Sequence, residues 1–484
     1  MVGTVLRHLL IIYTFLLPVQ TRLFLVDSRV EYQRFSLYGT QTLFVMMLIV
    51  YGLACHARSI GNPETKTTAN SSFGFLFFGS KIKFWMQMLF VVFLLIATQS
   101  LIAARLDLGT QTILWILQAT LFVWIVRREQ MERVVLWTFI VSMCFQSAVI
   151  WIQFFMQHIP SCKWLGLAEQ LSSAGGVSVI ETSFGRFLRG YGVFSHPNIA
   201  GGYLLTAIMV LFTLEHSAPS HISRLASGRQ RGSTMRYALR LALSALLISA
   251  LVLTFSRGAM VGLVVFLVSQ CMSAWVSSAL MPDQNNHNEQ KKTAIVSLLN
   301  SRSTSVVTAV GMFMLVVFIV FPFRELFFSR VDTSNRLESK SIVERQEYWN
   351  QAKEVIKGNL WFGVGLGNYT VELQKRFPNQ PSYEYQPPHA VPALALSEIG
   401  VVGCVALSFF LLMLVRIWYR GSGIRPLNCP TANYQLPITI IFSLLPILLF
   451  DHYLWSFYAG WLLLSIIALG LFGIQINEVR EKRL

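Results

Sequence analysis

Twelve apolar runs, each near the roughly 20 residues with which an α-helix crosses a bilayer, confine this chain to one kind of fold. They lie at about 6 to 25, 37 to 54, 84 to 104, 110 to 126, 134 to 157, 192 to 214, 237 to 256, 258 to 278, 304 to 323, 391 to 415, 435 to 451 and 455 to 474. Backbone polar groups in lipid must be satisfied inside each segment, which makes the helix the natural spanning element. The composition agrees, with 54% hydrophobic and 13% charged residues and a mean hydropathy of +0.54, outside the soluble range. The expected fold is an all-α polytopic membrane protein of about twelve transmembrane helices, its partner the lipid bilayer.

An even number of spans puts both termini on one side, and the distribution of cations decides which. With the termini inside, the inner segments hold Arg58, Lys66, Lys81 and Lys83, then Arg127, Arg128 and Arg133, then Arg224, Arg229, Arg231 and Arg236, then Lys291, Lys292 and Arg302. Arg416, Arg420, Arg425 and the tail Arg480, Lys482 and Arg483 extend the pattern. The termini are therefore expected in the cytoplasm. The ninth and tenth helices are separated by a polar stretch longer than a slack connection, expected as a partly helical extracytoplasmic loop. The domains expected are 1–323 (helices 1 to 9), 324–390 (the loop) and 391–484 (helices 10 to 12 and a cytoplasmic tail).

The net charge of +16 does not point to nucleic acid, because the cations fall in short clusters between apolar runs instead of forming one basic face. The six cysteines, Cys55, Cys144, Cys162, Cys271, Cys404 and Cys429, have neither CxxC nor Cys/His ligand spacing, so no metal site is expected from them. Arg7 ahead of an apolar run resembles a signal peptide, but Pro18, Gln20 and Arg22 follow where small residues would mark cleavage. That run reads as a retained helix.

Residues suited to chemistry gather on the expected outer side. A glycine-bearing connection, 158 to 190, carries Arg186 and Arg189 and leads into Gly190-Tyr191-Gly192-Val193-Phe194-Ser195-His196-Pro197-Asn198, where glycines and a proline predict a broken or late-starting helix beside a polar pocket. Thr254 to Ala259 is the whole connection between two helices, which holds Arg257 close to membrane depth, where a charge needs a partner or water. In the long loop, Ser341 to Ile356 reads as a helix stopped by Gly358. Ile342, Arg345, Trp349, Ala352 and Ile356 form its stripe, and Glu344, Glu347 and Lys353 point elsewhere.

Gly363-Val364-Gly365-Leu366-Gly367 lacks the strand and helix of a dinucleotide site and reads as a tight turn. His389, after Pro387 and Pro388 and just ahead of the tenth helix, is expected to be a neutral imidazole able to accept a proton, since burial and a helix N-terminus both disfavour the cation. Gly400 and Gly403 share a face that would admit another helix. Asp451-His452-Tyr453, at the outer end of the eleventh helix, is a weaker candidate for orienting His389 or the sugar.

Three stretches together resemble the O-antigen ligase and polymerase family of bacterial envelope glycosyltransferases. They are Arg189 to Asn198, Ser256-Arg257-Gly258-Ala259, and Arg345 to Trp349 running on through the glycine triplet to His389 and Gly400-Val401-Val402-Gly403. The spacing from His389 to the closing glycines fits the ligases, while Ala390 stands where they carry a polar residue. The resemblance implies metal-independent, inverting transfer of a glycan from an undecaprenyl-diphosphate-linked donor to an acceptor hydroxyl at the outer face of the bacterial inner membrane, with no cofactor. The acceptor class is a lipid-linked or surface glycan. Arg189 and Arg257 would bind the diphosphate and His389 would assist or deprotonate the acceptor hydroxyl, with Arg345, Asn198 and Asp451 as candidates for supporting roles. Repeat-unit polymerisation and protein O-glycosylation are alternatives within the family, and a transporter or flippase is the alternative of another class.

Overall fold

The computed structural model describes residues 2–61, 105–216, 231–279, 310–332, 334–421 and 435–481. The third apolar run (84 to 104), Cys429, and the cations Lys66, Lys81, Lys83, Arg224, Arg229, Lys291, Lys292, Arg302, Arg425, Lys482 and Arg483 lie outside the described residues.

In chain order, helix α1 (Val2–Phe15) leads to strands β1 (Arg22–Val26) and β2 (Phe35–Tyr38), and then come α2 (Gly39–Gly61), α3 (Leu106–Arg128) and α4 (Glu132–Met156). Strands β3 (His158–Ile159), β4 (Gln170–Leu171), β5 (Val179–Thr182) and β6 (Gly185–Leu188) precede α5 (Pro197–His216), α6 (Arg231–Leu253) and α7 (Arg257–Ala279). After these come α8 (Arg324–Val331), α9 (Arg336–Gly358), α10 (Tyr369–Arg376), α11 (Val391–Gly421), α12 (Gln435–Phe450) and α13 (Tyr458–Glu481). Among the described residues six helical segments are long and apolar enough to cross a membrane: Gly39–His56, Leu106–Arg128, Glu132–Met156, Pro197–Leu214, Val310–Arg330 and Val391–Met413. Five further apolar helices are shorter.

The chain is not wholly helical. Among the described residues there are three antiparallel two-stranded ribbons, β1–β2, β3–β4 and β5–β6, of which β3–β4 and β5–β6 lie in a connection that hydropathy reads only as loop. The first apolar run is also divided, because its helix ends at Phe15 and residues 22–26 form a strand. Arg22 and Arg34 each lie 5.0 Å from the Phe24 ring centroid. Val179 to Thr182 pairs with Gly185 to Leu188 around a turn whose Gly185 has φ +131°, a left-handed value that glycine accepts without strain.

Two compact units arise from interleaved parts of the chain. One comprises Met1–Glu129, Val343–Trp418 and Asp451–Leu462, and the other comprises Gln130–Ile342, Tyr419–Phe450 and Leu463–Leu484. The first has a core built by Ala352, Val355, Leu366, Tyr369, Leu373, Tyr385, Leu394, Ile399 and Trp455. The second packs α5 against α4, α6 and α7, and α7 against α12. Gly262 on α7 makes the last contact close, since a side chain there would meet the Ser443 carbonyl at 2.5 Å.

Helix α11 is broken at Gly400, with φ 63° and ψ −175°. The helical partners of the Ser397 and Glu398 carbonyls would be the N–H groups of Val401 and Val402, four residues on. Those carbonyls instead accept from Val364 N (2.9 Å) and Gly365 N (2.8 Å), while Val401 N and Val402 N donate to the carbonyls of Leu360 (2.9 Å) and Trp361 (3.1 Å). A glycine-rich turn is thus hydrogen-bonded into the break. Gly363 (φ +69°) and Gly400 both abut partner backbone, where a side chain would collide. The expectation that Gly400 admits a neighbouring helix is corrected: it admits the 360–365 turn.

Candidate active site

In the second unit, Arg189 follows β6 and is 5% exposed. Its Nε donates to the Thr254 carbonyl at 2.8 Å, and its Nη2 donates to Asn198 Oδ1 at 2.7 Å and to the Phe255 carbonyl at 3.3 Å. The guanidinium therefore ties the head of α5 to the turn between α6 and α7. That turn is strained, with Phe255 at φ 48°, a left-handed value costly for a side chain of its size.

The stretch Gly190 to His196 is not helical, and α5 begins only at Pro197, a residue suited to the first turn. Side chains from α4 satisfy its backbone. Gln153 Oε1 accepts from Tyr191 N (3.1 Å) and Gly192 N (2.8 Å), Gln153 Nε2 donates to the Gly192 carbonyl (2.7 Å), and Gln146 Oε1 accepts from Val193 N (3.0 Å). Irregular backbone near a membrane persists where protein supplies such partners. His196 Nδ1 accepts from Asn198 N at 3.1 Å, which leaves Nε2 to donate to Ser178 Oγ at 3.0 Å.

Arg257 opens α7. Its Nη1 lies 2.7 Å from Glu338 Oε2 and donates to the Arg330 carbonyl at 3.3 Å. The other oxygen of Glu338 is bound by Arg330. The Glu338 side chain is 4% exposed, Arg330 16% and Arg257 38%. Arg257 is thus the outward member of a buried carboxylate clamp.

In the first unit, His389 precedes α11, its approach fixed by Pro387 and Pro388 and by a 2.7 Å bond from Ala390 N to the Pro388 carbonyl. Its ring centroid is 5.2 Å from that of His452 and 5.9 Å from that of Tyr348. One ligand-capable atom from each of His389, Asp451 and His452 lies within 4.8 Å of the other two. Burial depresses the His389 pKa; Asp451 and Glu344 oppose that shift and Arg345 reinforces it. His452 is held well below its ordinary value by burial, then by His389. Both rings are therefore neutral near pH 7. The Tyr348 hydroxyl, pushed up to about 12 by burial and then by Glu344 and Glu384, remains protonated.

Of the residues singled out in the sequence, Arg189 and Asn198 are in contact, and Arg345 and Asp451 act on His389. Arg189 and Arg257 belong to one compact unit and His389 to the other. Helix α9 spans Arg336 to Gly358, five residues ahead of its expected start. Its stripe is also rotated: Gln351, Ala352 and Val355 are buried, Glu344, Arg345 and Tyr348 are half-buried, and Ile342 and Trp349 are exposed. Glu344 thus does not point away, and Tyr348 takes the place expected of Trp349.

Sequence reasoning missed Arg330 and Glu338, which sit in a mixed-charge stretch without periodicity. It also missed Glu398, a buried carboxylate on α11 that accepts from Trp455 Nε1 at 2.8 Å and faces the Gly367 and Tyr369 N–H groups. A lone acid within an apolar run was the signal available.

Residues 242–408 match the family profile described as O-antigen ligase. No curated protein matches it.

Proposed function

Starting from a chain with an O-antigen ligase segment at residues 242–408, we propose that the protein transfers a glycan from undecaprenyl diphosphate to an acceptor hydroxyl. The reaction takes place at the outer face of a bacterial inner membrane, with both termini cytoplasmic, the 324–390 loop extracytoplasmic, and the membrane-spanning segments 1–323 and 391–484 on either side. The observation that carries the reading is the neutral, half-buried His389 beside Asp451. A base must be unprotonated at working pH, and a neighbouring carboxylate stabilises the imidazolium once it forms.

In this reading His389 removes the acceptor proton, the acceptor oxygen attacks the anomeric carbon from the face opposite the leaving group, and the glycan–diphosphate bond breaks. The configuration inverts. Charge accumulates on the departing diphosphate, where forked arginine donors serve without a metal ion. Arg257 contacts the diphosphate and Arg189 holds the turn that presents it, with Asn198 bracing Arg189 and Arg345 tuning His389. The expected acceptor is a lipid-linked or surface glycan.

The test is an assay of the purified chain with lipid-linked glycan donor and candidate acceptors, scoring transfer and carrier release. His389→Gln is expected to reduce turnover about a hundredfold to ten-thousandfold with donor affinity nearly unchanged. Transfer by H389Q at the wild-type rate would reject the assignment. Donor moved across the bilayer without transfer would favour a flippase.

A further inference from the structure

His389, Asp451 and His452 form a cluster that deprotonation of an acceptor does not by itself require. One base and one carboxylate serve that purpose, yet a second, buried imidazole stands against the first. Two nitrogens and a carboxylate oxygen come within 4.8 Å of one another, close enough for small rotamer adjustments to bring them to a single ion. We propose that these three side chains bind a divalent transition metal ion of the zinc class, and that its binding silences His389.

The orientation of His452 is the first argument. Its Nδ1 lies 2.6 Å from Ser456 Oγ, and that hydroxyl donates to the His452 carbonyl at 3.2 Å. When the hydroxyl proton goes to the carbonyl, the oxygen accepts from Nδ1–H and the lone pair is on Nε2; in either tautomer the ring is oriented through Nδ1. A metal-bound histidine is characteristically fixed in this way, through a hydrogen bond at its other nitrogen. Asp451 is fixed as well, since its Oδ1 accepts the His452 N–H at 2.8 Å.

The surroundings suit a soft-to-borderline ion. Neutral imidazole is the ligating form, and the two rings stand 5.2 Å apart, centroid to centroid. The charged groups acting on His389 are Asp451 and Glu344 against Arg345, a formal balance that favours a cation. Tyr32 packs edge-on to His452 with centroids 5.7 Å apart, and Tyr348 covers His389. Two imidazoles and one carboxylate select zinc, cobalt or nickel over magnesium or calcium, which prefer all-oxygen sites. A bound ion takes the His389 lone pair that would otherwise accept the acceptor proton. This regulatory half rests on the proposed function; metal binding itself does not.

The test is a Co2+ titration of the purified full-length chain, read by visible absorption and competed with Zn2+. One Co2+ per chain is expected, displaced by Zn2+ and unaffected by excess Mg2+. Asp451→Asn and His452→Gln should each weaken binding at least about a hundredfold, the upper end of losses from removing only an outer-shell partner. His158→Gln, in the exposed His158–Glu169 pair, should leave binding unchanged and so reports on adventitious histidine sites. A wild-type spectrum without bound cobalt overturns the proposal whatever the variants do, and so does a spectrum that survives both D451N and H452Q. In the transfer assay Zn2+ should inhibit with the midpoint of the binding curve; stoichiometric Zn2+ without inhibition overturns the regulatory half. Cobalt binding by a chain that transfers no glycan leaves the metal site standing and removes the functional reading instead.

Discussion

Arg257 Nη1 lies 2.7 Å from Glu338 Oε2, and Arg330 binds the same carboxylate from its other oxygen. A carboxylate gripped by two guanidinium groups occupies the position that a phosphoryl group would take between arginine forks. Glu338→Gln should therefore have opposed effects. Removing the charge takes away the counter-ion that Arg257 and Arg330 share and lowers stability by about 3 kcal/mol, visible as a lower thermal unfolding midpoint. It also frees Arg257, and affinity for the diphosphate donor should rise about tenfold, equivalent to about 1.4 kcal/mol. Unchanged donor affinity in E338Q would separate this clamp from donor binding.

The two arginines should respond differently to lysine. Arg189 makes three bonds to Thr254, Phe255 and Asn198, and a lysine ammonium cannot reproduce that fork. Arg189→Lys should cost about 2 to 3 kcal/mol of stability together with transfer. Arg257→Lys, at a more exposed position, should reduce donor binding with a smaller loss of stability. Unfolding followed by intrinsic fluorescence, beside the transfer assay, separates the two.

Stability should depend on pH through His389 and His452. Unfolded, each imidazole takes up a proton near its ordinary value of 6.5; folded, burial delays that uptake. Between the two values the unfolded chain holds more protons, so stability is complete above about pH 6.5 and falls as the pH drops through that window. The slope is up to about 1.4 kcal/mol per pH unit for each ring. Unfolding midpoints should decline from pH 6.5 to 5.5, less steeply in His452→Gln, and a profile as steep in that variant as in wild type would contradict the assignment.

Gly400→Ala should destabilise the fold by about 3 kcal/mol, since it imposes a side chain at φ 63° against the Trp361 carbonyl. Gly470→Ala, whose nearest foreign atom would be 3.6 Å away, should leave the unfolding midpoint unchanged or raised. The two variants can be compared by heating in the same detergent.

Among the described residues the apolar runs are largely helical, as lipid imposes one solution on an apolar run, but the first run ends its helix at Phe15 and forms a strand at Arg22–Val26. Hydropathy was silent where polar side chains decide. Gln146 and Gln153 look like incidental residues in α4, yet they satisfy the backbone of Gly190 to Val193. The β5–β6 ribbon was hidden by a Gly- and Ser-rich stretch. Helix α9 was visible as an element, but its buried face was misjudged by one residue, which exchanged Tyr348 for Trp349. The approach to His389 through Pro387 and Pro388, just ahead of α11, was legible. The pairing of His389 with His452 could be raised only as a weaker candidate, because the 62 residues of intervening chain carry no local signal of tertiary contact.

The break in α11 has a mechanical consequence. A continuous membrane helix passes a change of tilt along its whole length, and helices tilt to match bilayer thickness. Here the hydrogen bonds that would couple residues 397 and 398 to 401 and 402 go to the 360–365 turn instead. Residues 391–399 are thereby anchored to the 360–365 turn, and the segment beyond Gly400 is not coupled to them through those two helical bonds. In the proposed reading, the end of the helix beside His389 is uncoupled from changes of tilt beyond Gly400.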